Sequence, residues 1–466
     1  MGHKNSRDIF CVWTDLYLSC LLLGLPLFVL PSGYEQIYQN KVAFFLWSSR
    51  IYLIGIPVLF AELLLTGQMK VAKIKDYFRH NRTIQSVLVG LYLCFVFLSA
   101  LFSAYNGVWS GYEEKNGFQT ILLYGLLFFA VLSFGQWKRL FAVLLSISCT
   151  WNCLIAMLQF CGLNPLWLFP DGVNYYDSGV RYSGSYLGLI GNADYFSAFL
   201  TLAIPLLCLM FFHDRTFMRW IFMAVSLIGL ATLVLSGVSA GLLAVGVTAF
   251  LLFPVVLIIN RPQLFVNKRR IFFLSYYVLL PLLCLTAIYF YPGTGGTLYE
   301  FSMLLHGELR ADFGSGRIAI WQDVFGRIAE NPMWGGGPDT YGERSKILFT
   351  RMLADGTPIQ TRPVNAHNEY LNVLVNTGIF SLISLLGVLC ATFFQLLKSR
   401  LEKRSLLVFA GALLCYSIQA LFSYSSCVTA PIFWAVLAVI IKEMNEKGGG
   451  KSYENKQVKH RKALVS

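Results

Sequence analysis

The chain has 466 residues, of which 56% are hydrophobic and only 13% are charged, and its formal net charge at pH 7 is +13. A water-soluble core cannot account for a composition this apolar. The positive charge lies mainly in short polar turns and in a basic tail, residues 442–462. Such a distribution is typical of a membrane protein and requires no nucleic-acid partner.

A helix that crosses a bilayer needs about 20 apolar residues, and windows of that size predict twelve spans. Their approximate bounds are 9–30, 42–65, 84–103, 118–134, 140–162, 192–212, 217–235, 238–259, 271–291, 371–397, 405–424 and 428–441. The first span is expected to be a retained anchor, because no small-residue cleavage site precedes the polar turn after it. The predicted fold class is an all-α, polytopic integral membrane protein.

Lysine and arginine cluster in alternate loops, which the positive-inside rule places in the cytoplasm. Both termini then lie in the cytoplasm, and the one long polar interval, 292–366, faces outward. An interval of this length between the spans of one bundle is usually functional. The predicted organisation is nine helices in 1–291, an extracytoplasmic catalytic loop at 292–366, three helices in 367–441 and a basic cytoplasmic tail at 442–466.

An amphipathic helix is predicted within the outer loop. One face of this helix is formed by four residues spaced four, three and four positions apart: Arg317, Trp321, Val324 and Ile328. Ser315 is available as an N-cap, and the Asn-Pro pair at 331–332 is expected to end the helix. The same pattern fits an ordinary interfacial helix with a snorkelling arginine.

His367 stands at the start of the tenth predicted span. The positive end of the helix dipole disfavours a protonated ring there, and the free backbone amides can bind an anion. A neutral imidazole can accept a proton from a sugar hydroxyl, and the adjacent Asn368 and Glu369 are placed to orient the ring or the acceptor. Interfacial histidines also serve as polar anchors, so the residue type leaves both interpretations open.

Four motifs occur in a fixed order along the chain. They are RYSGSYLGLIGNADYFSAFL at 181–200, an Arg-x-x-x-Trp helix at 317–321, an Asn-Pro-x-x-Gly-x-Gly turn at 331–337 and an Ala-His-Asn-x-Tyr-Leu helix start at 366–371. In this combination the chain resembles the O-antigen ligase and O-antigen polymerase superfamily of bacterial membrane glycosyltransferases. The resemblance covers the whole twelve-span layout, including the long outer loop.

The resemblance implies transfer of a glycan from an undecaprenyl diphosphate carrier to a hydroxyl of a glycan, lipid or protein, on the outer side of the bacterial cytoplasmic membrane. It implies no metal and no other cofactor. On matching positions, Arg317 would grip the donor diphosphate, His367 would activate the acceptor and Arg181 would add a second cation. The other residues expected to bind substrate are Asn368, Glu369, Trp321 and Asp194. The chain contains no Asp-x-Asp sequence, which agrees with arginine balancing the diphosphate charge.

The chain departs from the family pattern at two places. Many relatives have Ser-Arg-Gly at the start of the eighth span, where this chain has Val-Ser-Ala-Gly at 238–241, so that cation is absent beside Ser239. The sixth-span motif has Asp194 in place of the usual asparagine, with extra residues between Gly184 and Gly191.

Two alternatives to a ligase stay open. A polysaccharide polymerase of the same superfamily is less favoured, because polymerases often have two large outer loops and this chain has one. A lipid-linked glycan transporter or flippase belongs to another class. Transporters normally show internal repeats or broken helices, and the sequence predicts neither.

The topology can be tested by labelling single introduced cysteines with a membrane-impermeant thiol reagent. A cysteine at Gly356 should react in intact cells and one at Lys268 only after permeabilisation, because the arginine- and lysine-rich loops stay inside. The parent chain controls for its eleven native cysteines. Reaction at Lys268 in intact cells would contradict the outward placement of 292–366.

Overall fold

The computed structural model describes residues 2–71, 74–169, 174–177, 180–183, 186–260, 263, 269–310, 313–352, 356–399 and 402–463. The helices before the outer loop are α1 Gly2–Ser19, α2 Leu25–Leu27, α3 Ile37–Leu65, α4 Ile74–Tyr77, α5 Ile84–Leu101, α6 Phe118–Phe134, α7 Arg139–Phe160, α8 Ala193–His213, α9 Met218–Ser236, α10 Ser239–Asn260, α11 Arg269–Leu274 and α12 Leu280–Tyr289. Those that follow are α13 Gly296–Leu305, α14 Phe313–Glu330, α15 Tyr341–Arg344, α16 Glu369–Lys398, α17 Lys403–Gln419 and α18 Ala430–Ala463. Two antiparallel hairpins pair β1 Asn174–Asp177 with β2 Val180–Ser183, and β3 Phe349–Met352 with β4 Pro358–Thr361.

Nine helical segments within the described ranges are long and apolar enough to cross a membrane. They are Ile9–Leu27, Ile37–Leu65, Ile84–Leu101, Arg139–Phe160, Ala193–His213, Met218–Ser236, Ser239–Asn260, Ile271–Tyr289 and Glu369–Lys398. The other three predicted spans coincide with the shorter apolar helices Phe118–Phe134 and Arg404–Gln419 and with the start of α18. The chain is an integral membrane protein, and the prediction of an all-α polytopic fold is confirmed.

Helix α8 lies at the centre of the bundle and packs against α9 and α17. Most of its side chains are buried, with Phe199 and Leu207 fully so. Segment Ile271–Tyr289, by contrast, contains no buried residue, which places it at the periphery. Helix α16 packs along α5, and α18 packs along α6.

The predicted amphipathic face of α14 packs against the rest of the outer loop and the start of α16. Ile320 and Val324 are buried with Tyr341, Ala366 and Val375 in a small apolar cluster. Trp321 and Ile328 pack at the edge of the same cluster, as their spacing predicts. The helix ends at Glu330, before the Asn-Pro pair, as expected.

The expected N-cap of α14 is wrong. The helix begins at Phe313, two residues before Ser315, so that serine lies inside the helix. The Ser315 side chain itself lies outside the described part of the structure. Glycines flank it at 314 and 316 with φ of 63° and 83°, and the Gly314 N–H donates to Glu300 Oε2 at 3.0 Å, so this helix start is fixed by a carboxylate of α13.

Helix α16 is broken at Gly378, a feature that the sequence did not predict. Gly378 has φ 81° and ψ 178°, a conformation that essentially only glycine adopts. The break leaves backbone groups of the helix without partners inside α16, and in a membrane protein such groups must be satisfied by other parts of the chain. A Cβ atom at Gly378 would lie 2.0 Å from the carbonyl oxygen of Met333, so the break is filled by the outer loop.

The glycine turn at 331–337 supplies the missing hydrogen bonds. The Gly336 N–H donates to Val375 O at 3.2 Å, and the Gly337 N–H donates to Asn376 O at 2.7 Å. In the other direction, the Ile379 N–H donates to Pro332 O at 3.0 Å. The turn and the two halves of α16 therefore form one hydrogen-bonded unit.

The Asn376 side chain extends this unit into the outer loop. Its Oδ1 accepts the N–H groups of Thr340 at 3.1 Å and Tyr341 at 2.8 Å. On the other side of the turn, Ser99 of α5 donates to the carbonyl oxygen of Trp334 at 2.6 Å. The outer loop is thus fixed to two helices of the membrane bundle.

Replacing Gly378 with alanine should destabilise the fold, because the alanine would be forced into a conformation costing about 1–3 kcal/mol and would clash with Met333. The matched control is Gly246→Ala in α10, where a Cβ meets nothing within 4 Å and should raise helix stability by up to about 1 kcal/mol. Thermal unfolding of both variants in detergent measures the difference. Equal melting temperatures would contradict the account of the break.

Candidate active site

Trp321 of α14 connects the two halves of the predicted site. Its indole Nε1–H donates to the carbonyl oxygen of Ala366 at 3.0 Å, directly before His367. The indole is part-buried against the cluster that contains Ala366. The helix carrying Arg317 and the segment carrying His367, 50 residues apart in sequence, are therefore adjacent in the fold.

Arg317 lies one turn before Trp321 and is half-buried. Its Nη1 donates to Gly314 O at 2.9 Å. Within the described residues, its Nε is buried and has no hydrogen-bond partner. A guanidinium binds anions through charge-assisted hydrogen bonds, and the part of this half-buried side chain that solvent reaches is the part available for that role.

His367 precedes α16 in a left-handed backbone conformation, with φ 44°, which is uncommon for a residue other than glycine. Its N–H donates to Asn365 Oδ1 at 2.9 Å. Its ring meets the Tyr424 ring edge-on, with centroids 6.1 Å apart. Asn368 is the N-cap of α16, since its Oδ1 accepts the Leu371 N–H at 3.0 Å. The predicted placement of the histidine at a helix start is confirmed.

Glu369 is the first residue of α16 and faces the loop before α18. Its N–H donates to Ala420 O at 2.8 Å, and its Oε2 accepts the Ser425 N–H at 2.7 Å. The side chain also lines a cavity of about 70 Å³ next to Asn116 and Asp339. Glu369 thus ties the start of α16 to the segment that carries Tyr424.

Sequence reasoning missed Glu114, which lies in the connection between α5 and α6, residues 102–117. Glu114 is only 7% exposed, and its Oε1 accepts hydrogen bonds from Tyr424 at 2.8 Å and Asn365 at 3.3 Å. Its Oε2 accepts a hydrogen bond from Tyr195 at 3.1 Å. Burial raises the pKa of Glu114 to about 7, although the hydrogen bonds from Tyr424 and Tyr195 act in the opposite direction. The turn GYEEKNGF looks like an ordinary polar connection, so no local signal distinguishes this carboxylate.

Asp339 is a second carboxylate that the sequence did not reveal. Its Oδ2 accepts the N–H groups of Tyr112 at 2.6 Å and Asn116 at 3.3 Å. Burial raises the pKa of Asp339 to about 8, and the charge of Glu114 acts in the same direction. Asp339 also borders an open polar pocket of about 420 Å³, which Val364 lines three residues before His367.

The chain lacks the family arginine expected beside Ser239, and the structure describes both that position and another arginine of the outer loop, Arg344. At Ser239, where many relatives have arginine beside the serine, the hydroxyl oxygen lies 2.7 Å from that of Thr297. Arg344 is a cation that sequence reasoning missed, and burial lowers its pKa. Its Nε donates to Thr340 Oγ1 at 3.2 Å and its Nη2 donates to Val375 O at 2.6 Å. These two bonds engage Arg344 in holding the outer loop against the broken helix.

The remaining predicted site residues lie towards the sixth predicted span. Arg181 is in β2, opposite Tyr176 of β1, and its side chain lies outside the described part of the structure. Asp194 is in the first turn of α8, where a carboxylate is favourable to the helix dipole. Its N–H donates to Oδ1 of the N-cap residue Asn192 at 2.9 Å. The next residue, Tyr195, reaches Glu114.

Comparison with known proteins supports the family suggested by the sequence motifs. Residues 224–386 match the family model described as O-Antigen ligase. No curated protein matches the chain. The matched region contains Arg317, Trp321, the glycine turn, His367 and the break in α16, and it is similar to the O-antigen ligase family.

Proposed function

We propose that this protein is a membrane glycosyltransferase of the ligase type. It transfers a glycan from an undecaprenyl diphosphate-linked donor to a hydroxyl acceptor at the outer face of the bacterial cytoplasmic membrane. The observation that carries the proposal is the hydrogen bond from Trp321 to the carbonyl oxygen of Ala366, which joins the helix of Arg317 to the segment of His367. This reaction needs a group that binds an anion, here Arg317, and a base on an adjacent segment, here His367.

The reaction has one bond-forming and one bond-breaking event. The acceptor hydroxyl oxygen attacks the anomeric carbon of the donor sugar, and the bond from that carbon to the diphosphate oxygen breaks. Arg317 stabilises the charge that develops on the departing undecaprenyl diphosphate. His367, which directly precedes the N-cap of α16, takes the proton of the acceptor hydroxyl. An open pocket of about 420 Å³ is lined by Asp339 and by Val364, three residues before His367 in sequence, and we propose that it receives a sugar of the substrate.

Two alternative functions make different demands on the structure. A polymerase of the same superfamily would use the same chemistry with a growing glycan as acceptor, and the single long outer loop favours the ligase. A transporter would use a broken helix to form an ion or substrate site. In this chain the break at Gly378 is filled by the glycine turn, which favours an enzyme with a fixed outer loop.

The role of Arg317 predicts that lysine cannot replace it. Arg317→Ala should lower glycan transfer on the order of 10²-fold, the usual cost of losing one donor that stabilises a developing negative charge. Arg317→Lys should be nearly as damaging, because an ammonium does not reproduce the fork of guanidinium N–H groups. Transfer is measured in membranes that contain equal amounts of each variant.

Lys346→Ala is the charge-matched control on the same outer loop. The Lys346 side chain is exposed, and its backbone N–H donates to Asp323, a bond that the substitution leaves in place. This variant should transfer glycan at the parent rate. A fully active Arg317→Ala variant would remove the donor-site proposal, and an equal loss in Lys346→Ala would show that only the net charge of the loop matters.

A further inference from the structure

Glu114 is a buried carboxylate that the proposed reaction does not use directly. It lies in the connection between α5 and α6, far in sequence from both Arg317 and His367 and outside the matched region. A buried carboxylate is costly unless several donors bind it. Donors reach Glu114 from α8, from the loop before α18 and from the segment before α16. The last two also touch His367.

Asn365 forms the first connection between Glu114 and His367. This asparagine is 3% exposed; its Nδ2 donates to Glu114 Oε1 at 3.3 Å, and its Oδ1 accepts the His367 N–H at 2.9 Å. An asparagine amide has one donating end and one accepting end. The carboxylate fixes which end faces it, so the accepting end is left for His367.

The bond from His367 to Asn365 supports an unfavourable backbone conformation. His367 has φ 44°, and the left-handed region costs a residue with a Cβ about 1–2 kcal/mol. Such a conformation persists only where the surroundings hold it. Asn365 supplies one part of that support, and the N-cap Asn368 fixes the following residue.

Tyr424 forms the second connection. Its hydroxyl donates to Glu114 Oε1 at 2.8 Å, and its ring lies edge-on to the imidazole of His367, with centroids 6.1 Å apart. The bond to Glu114 fixes the position of the phenol ring. The ring in turn bounds the space that the imidazole occupies.

We infer that Glu114 is a positioning residue for the transfer reaction, orienting His367 through Asn365 and Tyr424. This inference rests on the proposed function, in which His367 is the base. Small displacements of a catalytic group lower the rate strongly, so loss of this support should reduce turnover. It should leave binding of the carrier diphosphate unchanged, because Arg317 provides that contact.

The test is a double-mutant cycle on purified protein, using lipid-linked oligosaccharide extracted from the host membranes as donor. Glutamine keeps the size of Glu114 but replaces one accepting oxygen with a donating NH₂ group, so Tyr195, Tyr424 and Asn365 can no longer all donate to this side chain. Glu114→Gln should lower the turnover number on the order of tenfold, within the range of coupling between neighbouring groups. The affinity for undecaprenyl diphosphate, measured separately, should stay the same. Glu35→Gln, an exposed residue in the turn before α3, is the matched control and should show no change.

The cycle distinguishes positioning from a merely structural role. His367→Ala alone should lower turnover by about 10² to 10⁴, and adding Glu114→Gln to it should cause no further loss, because residues that act as a unit are non-additive. A further tenfold loss in the double variant would overturn the inference. A fully active His367→Ala variant would overturn the proposed function itself.

Tyr424→Phe provides a second variant in case Glu114→Gln fails to fold. It keeps the ring beside His367 and removes only the hydroxyl that bonds to Glu114. Its turnover should fall severalfold, again with no additional effect in the His367→Ala background. Unchanged turnover in a folded Tyr424→Phe protein would contradict the connection through the tyrosine.

Discussion

The break in α16 is the constraint on which the arrangement of the site depends. Backbone N–H and C=O groups within a membrane protein must be paired, because each unpaired group costs several kcal/mol in an apolar medium. The glycine turn forms hydrogen bonds with the backbone N–H and C=O groups around Gly378 that have no partner inside α16. The Asn376 side chain accepts further hydrogen bonds from the N–H groups of Thr340 and Tyr341. The outer loop therefore cannot separate from the helix without exposing buried polar groups. This fixed loop holds α14, and with it Arg317, beside the segment of His367.

The site draws on parts of the chain well beyond the matched family region. Arg317 and His367 lie inside residues 224–386, whereas Glu114 and Tyr195 come from the first half of the chain and Tyr424 from the last. The family region supplies the groups proposed to touch substrate, and the surrounding bundle supplies the carboxylate and the phenols that hold the histidine segment. A mutational survey limited to the matched region would therefore miss Glu114.

Local features of the site could be predicted from the sequence, and long-range ones could not. The face of α14 and its end at Glu330 follow from side-chain periodicity and from proline chemistry, which act over one or two helical turns. The start of α16 directly after His367 and Asn368 was also predictable, because Asn368 is a typical N-cap. The break at Gly378 was not, since a single glycine in an apolar span says nothing about the turn at 331–337 that fills it. Glu114 was missed for the same reason, because its partners lie up to 310 residues away.

The most direct test of the account is a transfer assay with purified protein in detergent, where no membrane gradient exists. Lipid-linked oligosaccharide from the host is incubated with candidate hydroxyl acceptors, and both the glycosylated product and the released undecaprenyl diphosphate are quantified. Covalent product and released carrier should appear in equal amounts, and both should be lost when His367 is replaced. Movement of lipid-linked sugar across vesicles containing the protein, without any covalent product in either preparation, would contradict it.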